Sequence, residues 1–251
     1  MEIIATRPKS LTEAQFTYCP GCTHGISHRL VAEAMDELDM RNKMMGVCPV
    51  GCSVLAYNFF DCDMAEAAHG RAPALATGMK RARPDMHVFT YQGDGDLLAI
   101  GTAEIVHAAN RGEHFSVFFV NNAVYGMTGG QMAPTTLPGM KTTTSPYGRD
   151  EKDIGYPIRA CELLATLEAP YYIERVSLLS PQHILKAKKA VYKAMKFNKE
   201  ERGFTFIEFV STCPTNWGFE PMKAFEWAKE NMLPFFKLGV FKDKSIEEEG
   251  K

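Results

Sequence analysis

The stretch HVFTYQGDGDLLAIGTAEIVHAANRG, residues 87–112, decides the fold. HVFTY (87–91) is a short apolar and aromatic run, and TAEIVHAANR (102–111) has a helical period. Between them stand glycines and two aspartates, Asp94 and Asp96. A strand that turns directly into a helix is half of a strand–helix–strand unit, so the stretch predicts a parallel sheet covered by helices. Glycines at such a turn let the backbone approach a phosphate, and a helix N-terminus attracts anions. Two carboxylates would repel the same ligand unless a divalent cation stands between. Mg²⁺ suits that place, because it is commonly held by one or two protein oxygens together with substrate phosphates.

The alternation continues outward on both sides. Strands are predicted over 43–47, 87–91, 115–120, 171–176 and 204–210, and helices over 24–38, 73–82, 102–111, 156–167 and 181–195. In the last of these Ile184, Ala187, Ala190 and Val191 share a face and lysines take other positions, as in a surface helix packed on a core. The fold class expected is α/β, a mostly parallel sheet with helices on both faces. A single domain over residues 1–251 is expected, with 232–251 a C-terminal extension and a frayed charged tail, KDKSIEEEGK (242–251). Residues 121–155 are rich in Gly, Pro and Thr without a period, and so long an irregular stretch beginning at a strand end points to function.

Composition narrows the function classes. The chain has 251 residues, 45% of them apolar, and a net charge of −2, with no basic stripe that would call for nucleic acid. No apolar run approaches the roughly 18 residues of a membrane span, and MEIIATRPKS lacks a signal-peptide layout, so a cytoplasmic, small-molecule role is expected.

The second ligand for the cation is expected at the end of the next strand. FSVFFV leads into Asn121 and Asn122, and Asn122 follows Asp94 by 28 residues, about one strand–helix–strand unit. Parallel strands present their carboxyl ends on one edge, where open α/β sheets bind ligands, so Asp94 and Asn122 are expected to meet there. A dinucleotide fingerprint would need glycine where Leu98 stands, and no phosphate-binding G-x-x-x-x-G-K-[ST] occurs. The bland alternative is a solvated turn capped by Asp94 or Asp96.

The chain holds seven cysteines. Cys19 and Cys22 form a C-x-x-C pair, Cys48 and Cys52 a C-x-x-x-C pair, and Cys213 follows the strand FTFIEFV. Such thiolates suit zinc or an iron–sulfur cluster, and spacing alone does not separate the two. His24 is either a further zinc ligand or a packed polar group. Cys161 and Cys62 read as buried thiols.

Taken together, YCPGCTHG, VGCS, AHGRAPALATGMKRARPD, GDGDLLAIG, NNAVYGMTGGQMAPTT and STCPTNWG resemble, in order, the β subunit of the 2-oxoacid:ferredoxin oxidoreductases. The likeness is greater to the shorter β subunits of branched-chain 2-oxoacid and 2-oxoglutarate enzymes than to pyruvate enzymes. It implies thiamine diphosphate bound through Mg²⁺ on Asp94, Asn122 and the carbonyl of Val124. Gly51, Cys52, Ser53, His69, Gly93, Gly95, Asp96, Gly126 and Met127 would line the cofactor. It also implies a [4Fe–4S] cluster on Cys19, Cys22, Cys52 and Cys213. Cys48 departs from the family pattern and competes with Cys52, which the G-C-S context favours. The implied reaction is oxidative decarboxylation of a 2-oxoacid to acyl-CoA and CO₂, with electrons leaving through the cluster to ferredoxin.

One part is missing. Activation of thiamine diphosphate needs a carboxylic acid against the aminopyrimidine, and no matching motif supplies it. The resemblance places it on a partner α subunit, with small γ and δ subunits as further partners. Within the chain Glu66, just before AAHGR, is the first candidate. His69 is expected on the diphosphate. Arg71 either contacts substrate or partner or pairs with a carboxylate. The apolar stretch EWAKENMLPFFKLGVF (226–241) either meets the partner or folds back on this chain's own core. Two other classes compete: a non-redox thiamine-dependent decarboxylase, which has no use for four cysteines, and a zinc-stabilised binding module, which leaves GDGD and the distant Asn pair unexplained.

Overall fold

In a computed structural model, which describes residues 6–249, three strands buried at every position form the middle of a sheet: β1 (Met44–Pro49), β4 (Ser116–Asn121) and β8 (Thr205–Val210). Burial on both faces explains why these read as continuous apolar runs rather than as alternating ones. β2 (Asp63–Ala67), β3 (His87–Gly93), β7 (Tyr172–Ser177) and β9 (Gly239–Asp243) complete the order β2-β1-β3-β4-β8-β7-β9. All pairings are parallel except that of β9, which runs antiparallel to β7. A separate two-stranded ladder, β5 (Val124–Tyr125) and β6 (Gln131–Met132), lies within the long irregular stretch.

Ten helices stand among the described residues, and the larger ones form the outer layers. α1 (His24–Glu37) precedes β1, α2 (Ala72–Ala82) links β2 to β3, and α3 (Thr102–Asn110) links β3 to β4. α4 (Glu151–Ile154) and α5 (Ala160–Ala165) precede β7, and α6 (Pro181–Lys199) joins β7 to β8. On one face Val31 and Met35 of α1 and Val191 and Met195 of α6 pack with Phe89, Tyr91, Phe118 and Phe209. On the other, Ala76, Ile105, Ala108 and Leu164 of α2, α3 and α5 pack with Val47, Val88, Phe119 and Phe206. The adjacent strand positions fall into opposite clusters, as a period of two requires. This is the helix–sheet–helix sandwich the sequence predicted.

Four local readings need correction. The helix predicted over 156–167 shrinks to Ala160–Ala165, because Pro157 holds Tyr156 off the helical region and the chain stays extended through Arg159. β2 and β9 were missed. Both are half-exposed edge strands, DMAEA and GVFKD, with little apolar signal. Of the tail expected to fray, 242–251, residues 242 and 243 end β9 and α10 spans Lys244–Glu249, while residues 250 and 251 lie outside the described residues.

The stretch 226–241 folds onto this chain rather than waiting for a partner. After α7 (Pro214–Trp217), α8 (Pro221–Trp227), a π-helical turn and α9 (Leu233–Phe235), the side chains of Ala228, Met232 and Phe236 are fully buried against Leu137, Leu179 and Val210. No helix among the described residues is long and apolar enough to cross a membrane.

Candidate active site

Parallel strands with short exits put their following loops on one edge, and here five neighbouring strands do so. The loop after β1 supplies Gly51 to Ser53, that after β2 His69, that after β3 Asp94 to Asp96, that after β4 Asn122 and that after β8 Cys213. A cleft at this edge is lined by every residue expected for the cation and the cofactor: Gly51, Cys52, Ser53, His69, Gly93, Asp94, Gly95, Asp96, Asn122, Val124, Gly126 and Met127. His24, Val50, Val120, Tyr125 and Thr128 line it as well.

The two aspartates have different surroundings. Asp94 is almost wholly buried, and burial pushes its carboxyl up to about 7 despite hydrogen bonds that favour the charge. Its Oδ1 accepts from the Gly95 N–H at 2.8 Å and its Oδ2 from the Thr135 hydroxyl at 2.6 Å. Asp96 turns inward, accepting from Gln92 Nε2 and the Gly70 N–H at 2.6 Å each and lying 2.5 Å from His69 Nδ1. Asp96 thus fixes the His69 ring and leaves its Nε2 as the atom free to meet a ligand. The turn between them continues as a π-helical segment, Gly95–Ile100, closed by a bond from Gly101 N to Asp96 O at 2.8 Å. Such π-bulges recur at functional sites.

Glycine is required here for close approach. A Cβ on Gly95 would stand 2.2 Å from the Tyr125 ring, and one on Gly126 would meet Cys52 Sγ at 3.3 Å and Cys213 Sγ at 3.8 Å. Two sulfurs from different strand ends therefore converge on one backbone position. The N-terminal loop joins them: Thr212 Oγ1 donates to Gly21 O at 2.7 Å, and Thr23 Oγ1 lies 2.5 Å from Ser211 Oγ. Those bonds bring the turn Cys19–Cys22, closed by Cys22 N on Cys19 O at 3.0 Å, to the end of β8.

Burial raises the Cys22 thiol to about 12 and the Cys52 thiol to about 11, with the other thiols of the group adding to both. Burial raises Cys213 also, while Asn216 opposes it by donating to its Sγ at 3.2 Å. Buried thiols of this kind are a donor set suited to a cationic iron–sulfur centre, which would neutralise their thiolates. A single tetrahedral zinc would draw its thiolates within roughly 4 Å of one another. No three Cys, His, Asp or Glu side chains among the described residues stand close enough to hold one ion.

Of the remaining candidates only His24 touches the cleft. Cys48 is fully buried inside β1 among the α1 and α6 contacts, with Ala65 O 3.8 Å from its sulfur. Cys62 lies beside Met64 Sδ, and Cys161 is buried in α5. His24 bonds Tyr91 OH through Nδ1 at 2.6 Å, stacks on Tyr18, and is pushed by burial down to about 4. Arg71 is ion-paired with Glu104. Glu66 is exposed on β2 opposite Cys48 and does not line the cleft.

Sequence reasoning passed over Asn216, Trp217 and the pair Thr135–Thr136. Asn216 Nδ2 also donates to Gly126 O at 2.7 Å, and Trp217 Nε1 donates to Asn122 O at 3.2 Å. Their only signal was position within a quoted motif.

Residues 49–209 match the family described as the thiamine pyrophosphate enzyme C-terminal TPP binding domain. The ketoisovalerate oxidoreductase subunit VorA of Methanothermobacter thermautotrophicus is 52% identical over 232 residues, 92% of this chain and 49% of that protein. The chain thus spans about half the length of that curated relative. The 2-oxoglutarate synthase subunit KorB of Methanocaldococcus jannaschii is 37% identical over 92% of this chain and 82% of its own length. Among solved structures, a 2-oxoglutarate:ferredoxin oxidoreductase from Magnetococcus marinus, with 2-oxoglutarate, coenzyme A and succinyl-CoA bound, covers 96% of this chain and 86% of its own at 28% identity and a TM-score of 0.76. With a cofactor-domain match across the sheet and a KorB likeness over most of both chains, this chain belongs to the thiamine diphosphate-binding subunits of the 2-oxoacid:ferredoxin oxidoreductases.

Proposed function

We propose that this chain is the catalytic subunit of a CoA-acylating 2-oxoacid:ferredoxin oxidoreductase that works on a branched-chain substrate of the 2-oxoisovalerate kind. The observation that carries the redox reading is the adjacency of two donor sets. Cys52 both lines the cofactor cleft and, with Cys213, stands against Gly126, so a cluster held by these thiols would lie beside the cleft and could accept electrons from it. A non-redox decarboxylase has no use for that arrangement.

Asp94, the Asn122 side-chain oxygen and the Val124 carbonyl would hold Mg²⁺, one anion among neutral oxygens, with diphosphate and water completing the shell. The donor set fits: Asp94 is a buried carboxylate with no cationic side chain paired to it among the described residues, and a bound cation would favour its charged form. His69, oriented by Asp96, would donate to the diphosphate, and Ser53 Oγ, buried without a partner, has a hydrogen bond to offer in the same cleft. Cys19, Cys22, Cys52 and Cys213 would hold a [4Fe–4S] cluster. Once bound, thiamine diphosphate supplies carbanion stabilisation and the cluster a one-electron acceptor. The only carboxylates that line the cleft among the described residues are Asp94 and Asp96, both already engaged, so the activating acid is assigned to an α subunit partner. Ferredoxin is the proposed acceptor and CoA the acyl acceptor.

The substrate preference follows from the 52% likeness to a ketoisovalerate subunit and from a cleft lined by no Lys or Arg to pair with a second carboxylate. The runner-up is 2-oxoglutarate, after the KorB relatives. The test is the complex purified without oxygen, offered a panel of 2-oxoacids with CoA and a viologen acceptor. CoA-dependent reduction fastest with 2-oxoisovalerate is expected. Turnover with 2-oxoglutarate alone would reverse the preference, and iron-free protein that only decarboxylates would overturn the redox reading.

A further inference from the structure

The long segment between β4 and α4 has no periodicity, yet its residues Thr135 and Thr136 are fully buried. Their hydroxyls go to different strand ends. Thr135 Oγ1 donates to Asp94 Oδ2 at 2.6 Å, after β3, and Thr136 Oγ1 donates to Ala123 O at 2.6 Å, after β4. Ala123 is a non-glycine residue at φ +61°, a conformation that persists only where surroundings hold it. It sits between Asn122 and Val124, so its conformation sets the angle between the two proposed ligands on that strand end. Thr136 Oγ1 in turn accepts from the Ala133 N–H at 2.8 Å, which fixes its direction.

The pair is itself tied down. Arg149 is only 6% exposed, and its guanidinium donates to the carbonyls of Pro134 at 3.1 Å, Thr136 at 2.8 Å and Gly155 at 2.9 Å. None of the ion pairs found among the described residues uses it. A buried cation bonded to carbonyls on both sides of α4 ties the Pro134–Thr136 backbone to the end of that helix.

We infer that Thr135 and Thr136, clamped by Arg149, are positioning residues that set the octahedral geometry of the cation site, and through it the preference for Mg²⁺. The inference rests on the proposed Mg²⁺–thiamine diphosphate site. With each Asp94 oxygen already accepting one hydrogen bond, the carboxylate is held against rotation, and each oxygen keeps one lone pair that it could offer to a cation. Mg²⁺ demands near-ideal octahedral directions, whereas Ca²⁺ tolerates irregular ones. Loosening the carboxylate should therefore cost Mg²⁺ more than Ca²⁺. Groups that orient metal ligands commonly change affinity by about 10- to 100-fold when removed.

The experiment is calorimetric binding of thiamine diphosphate to the purified complex, with Mg²⁺ or Ca²⁺ as the added metal, alongside thermal unfolding without either. Thr135→Val, which keeps shape and loses the donor, should weaken Mg²⁺-supported binding by about 10- to 100-fold and Ca²⁺-supported binding less. Thr135→Ser should restore most of the loss, and Thr136→Val and Thr136→Ser should form a matching pair. Equal affinity and an unchanged Mg²⁺/Ca²⁺ ratio in both valine variants would overturn the inference, as would serine variants no better than valine. Should a valine variant fail to fold, the alanine variant at the same position, which also lacks the donor, decides: a lowered Mg²⁺/Ca²⁺ affinity ratio supports the inference, and an unchanged one overturns it. Asp94→Ala separates the two readings. If it binds cofactor as well as the unaltered protein, the site itself is wrong; if it does not bind and Thr135→Val does, only the positioning role fails.

Discussion

At the scale of single residues the site was legible wherever its chemistry is carried by residue type. Asp94, Asn122 and the pair Cys19–Cys22 stand out by residue type and spacing, whereas Cys52 and Cys213 are singled out by the family resemblance. Thr135, Thr136 and Arg149 did not, since threonine is common in loops and their roles exist only once β3 and β4 are neighbours. Spacing alone left Cys48 and Cys52 undecided: the predicted strand 43–47 ends before both, and only the observed strand, which reaches Pro49, puts Cys48 among core residues and leaves Cys52 beyond its end. Two outcomes test the residues directly. Asp94→Ala should abolish Mg²⁺-dependent thiamine diphosphate binding by calorimetry, because the cation loses its only anionic protein ligand, whereas Asn122→Ala should weaken it less. Serine at Cys19, Cys22, Cys52 or Cys213 should each lower iron and acid-labile sulfide, and serine at Cys48, Cys62 or Cys161 should not. Iron lost in Cys48→Ser but kept in Cys52→Ser would reverse the choice of third ligand.

Among the elements, recognition from sequence followed burial. The central strands carry dense β-branched and aromatic residues because both their faces are covered, so five strands were placed to within a residue or two. β2 and β9 expose half their side chains and lose that signal. A polar ladder across β4, β8 and β7 was also invisible: Asn121 Nδ2 donates to Glu208 Oε1 at 2.8 Å, Glu208 Oε2 lies 2.8 Å from Arg175 Nε, and Arg175 Nη1 reaches Glu162 at 3.0 Å. Asn121, Glu208 and Arg175 are all fully buried. Charged residues so deep in a sheet contradict an apolar template, and only the cross-strand register Arg175↔Glu208 explains them. Removing one partner of a buried pair typically costs about 3–5 kcal/mol. Glu208→Ala should fall near about 3 kcal/mol, because Glu162 still faces Arg175. Phe236→Ala, which empties the pocket beneath the C-terminal helices, should cost about 3–5 kcal/mol. Denaturant unfolding reads both. A Phe236→Ala loss below about 1 kcal/mol would mean that the segment is not part of this chain's core.

For the whole molecule the question is what one chain can do alone. The cleft gathers Asp94, Asn122, His69 and Cys52 at one sheet edge, with Cys213 close to Cys52 beside Gly126, and in the proposed site these serve the cation, the diphosphate and the cluster. Its own two carboxylates are taken, Asp94 by the cation in the proposed site and Asp96 by His69, Gln92 and the Gly70 N–H. Glu66 is outside the cleft, on the exposed edge strand. This chain purified alone, loaded with Mg²⁺, thiamine diphosphate and cluster, should therefore reduce no acceptor with any 2-oxoacid. Loss of positioned acid–base assistance is commonly worth about 10² to 10⁴ in rate, which sets the smallest deficit expected. Adding the α subunit should restore turnover, and changing that partner's acid to the amide should remove it again while leaving cofactor affinity in place. Turnover by the isolated chain that vanishes in Glu66→Gln would move the acid back onto β2 and would require that strand to reach the cleft in the active state.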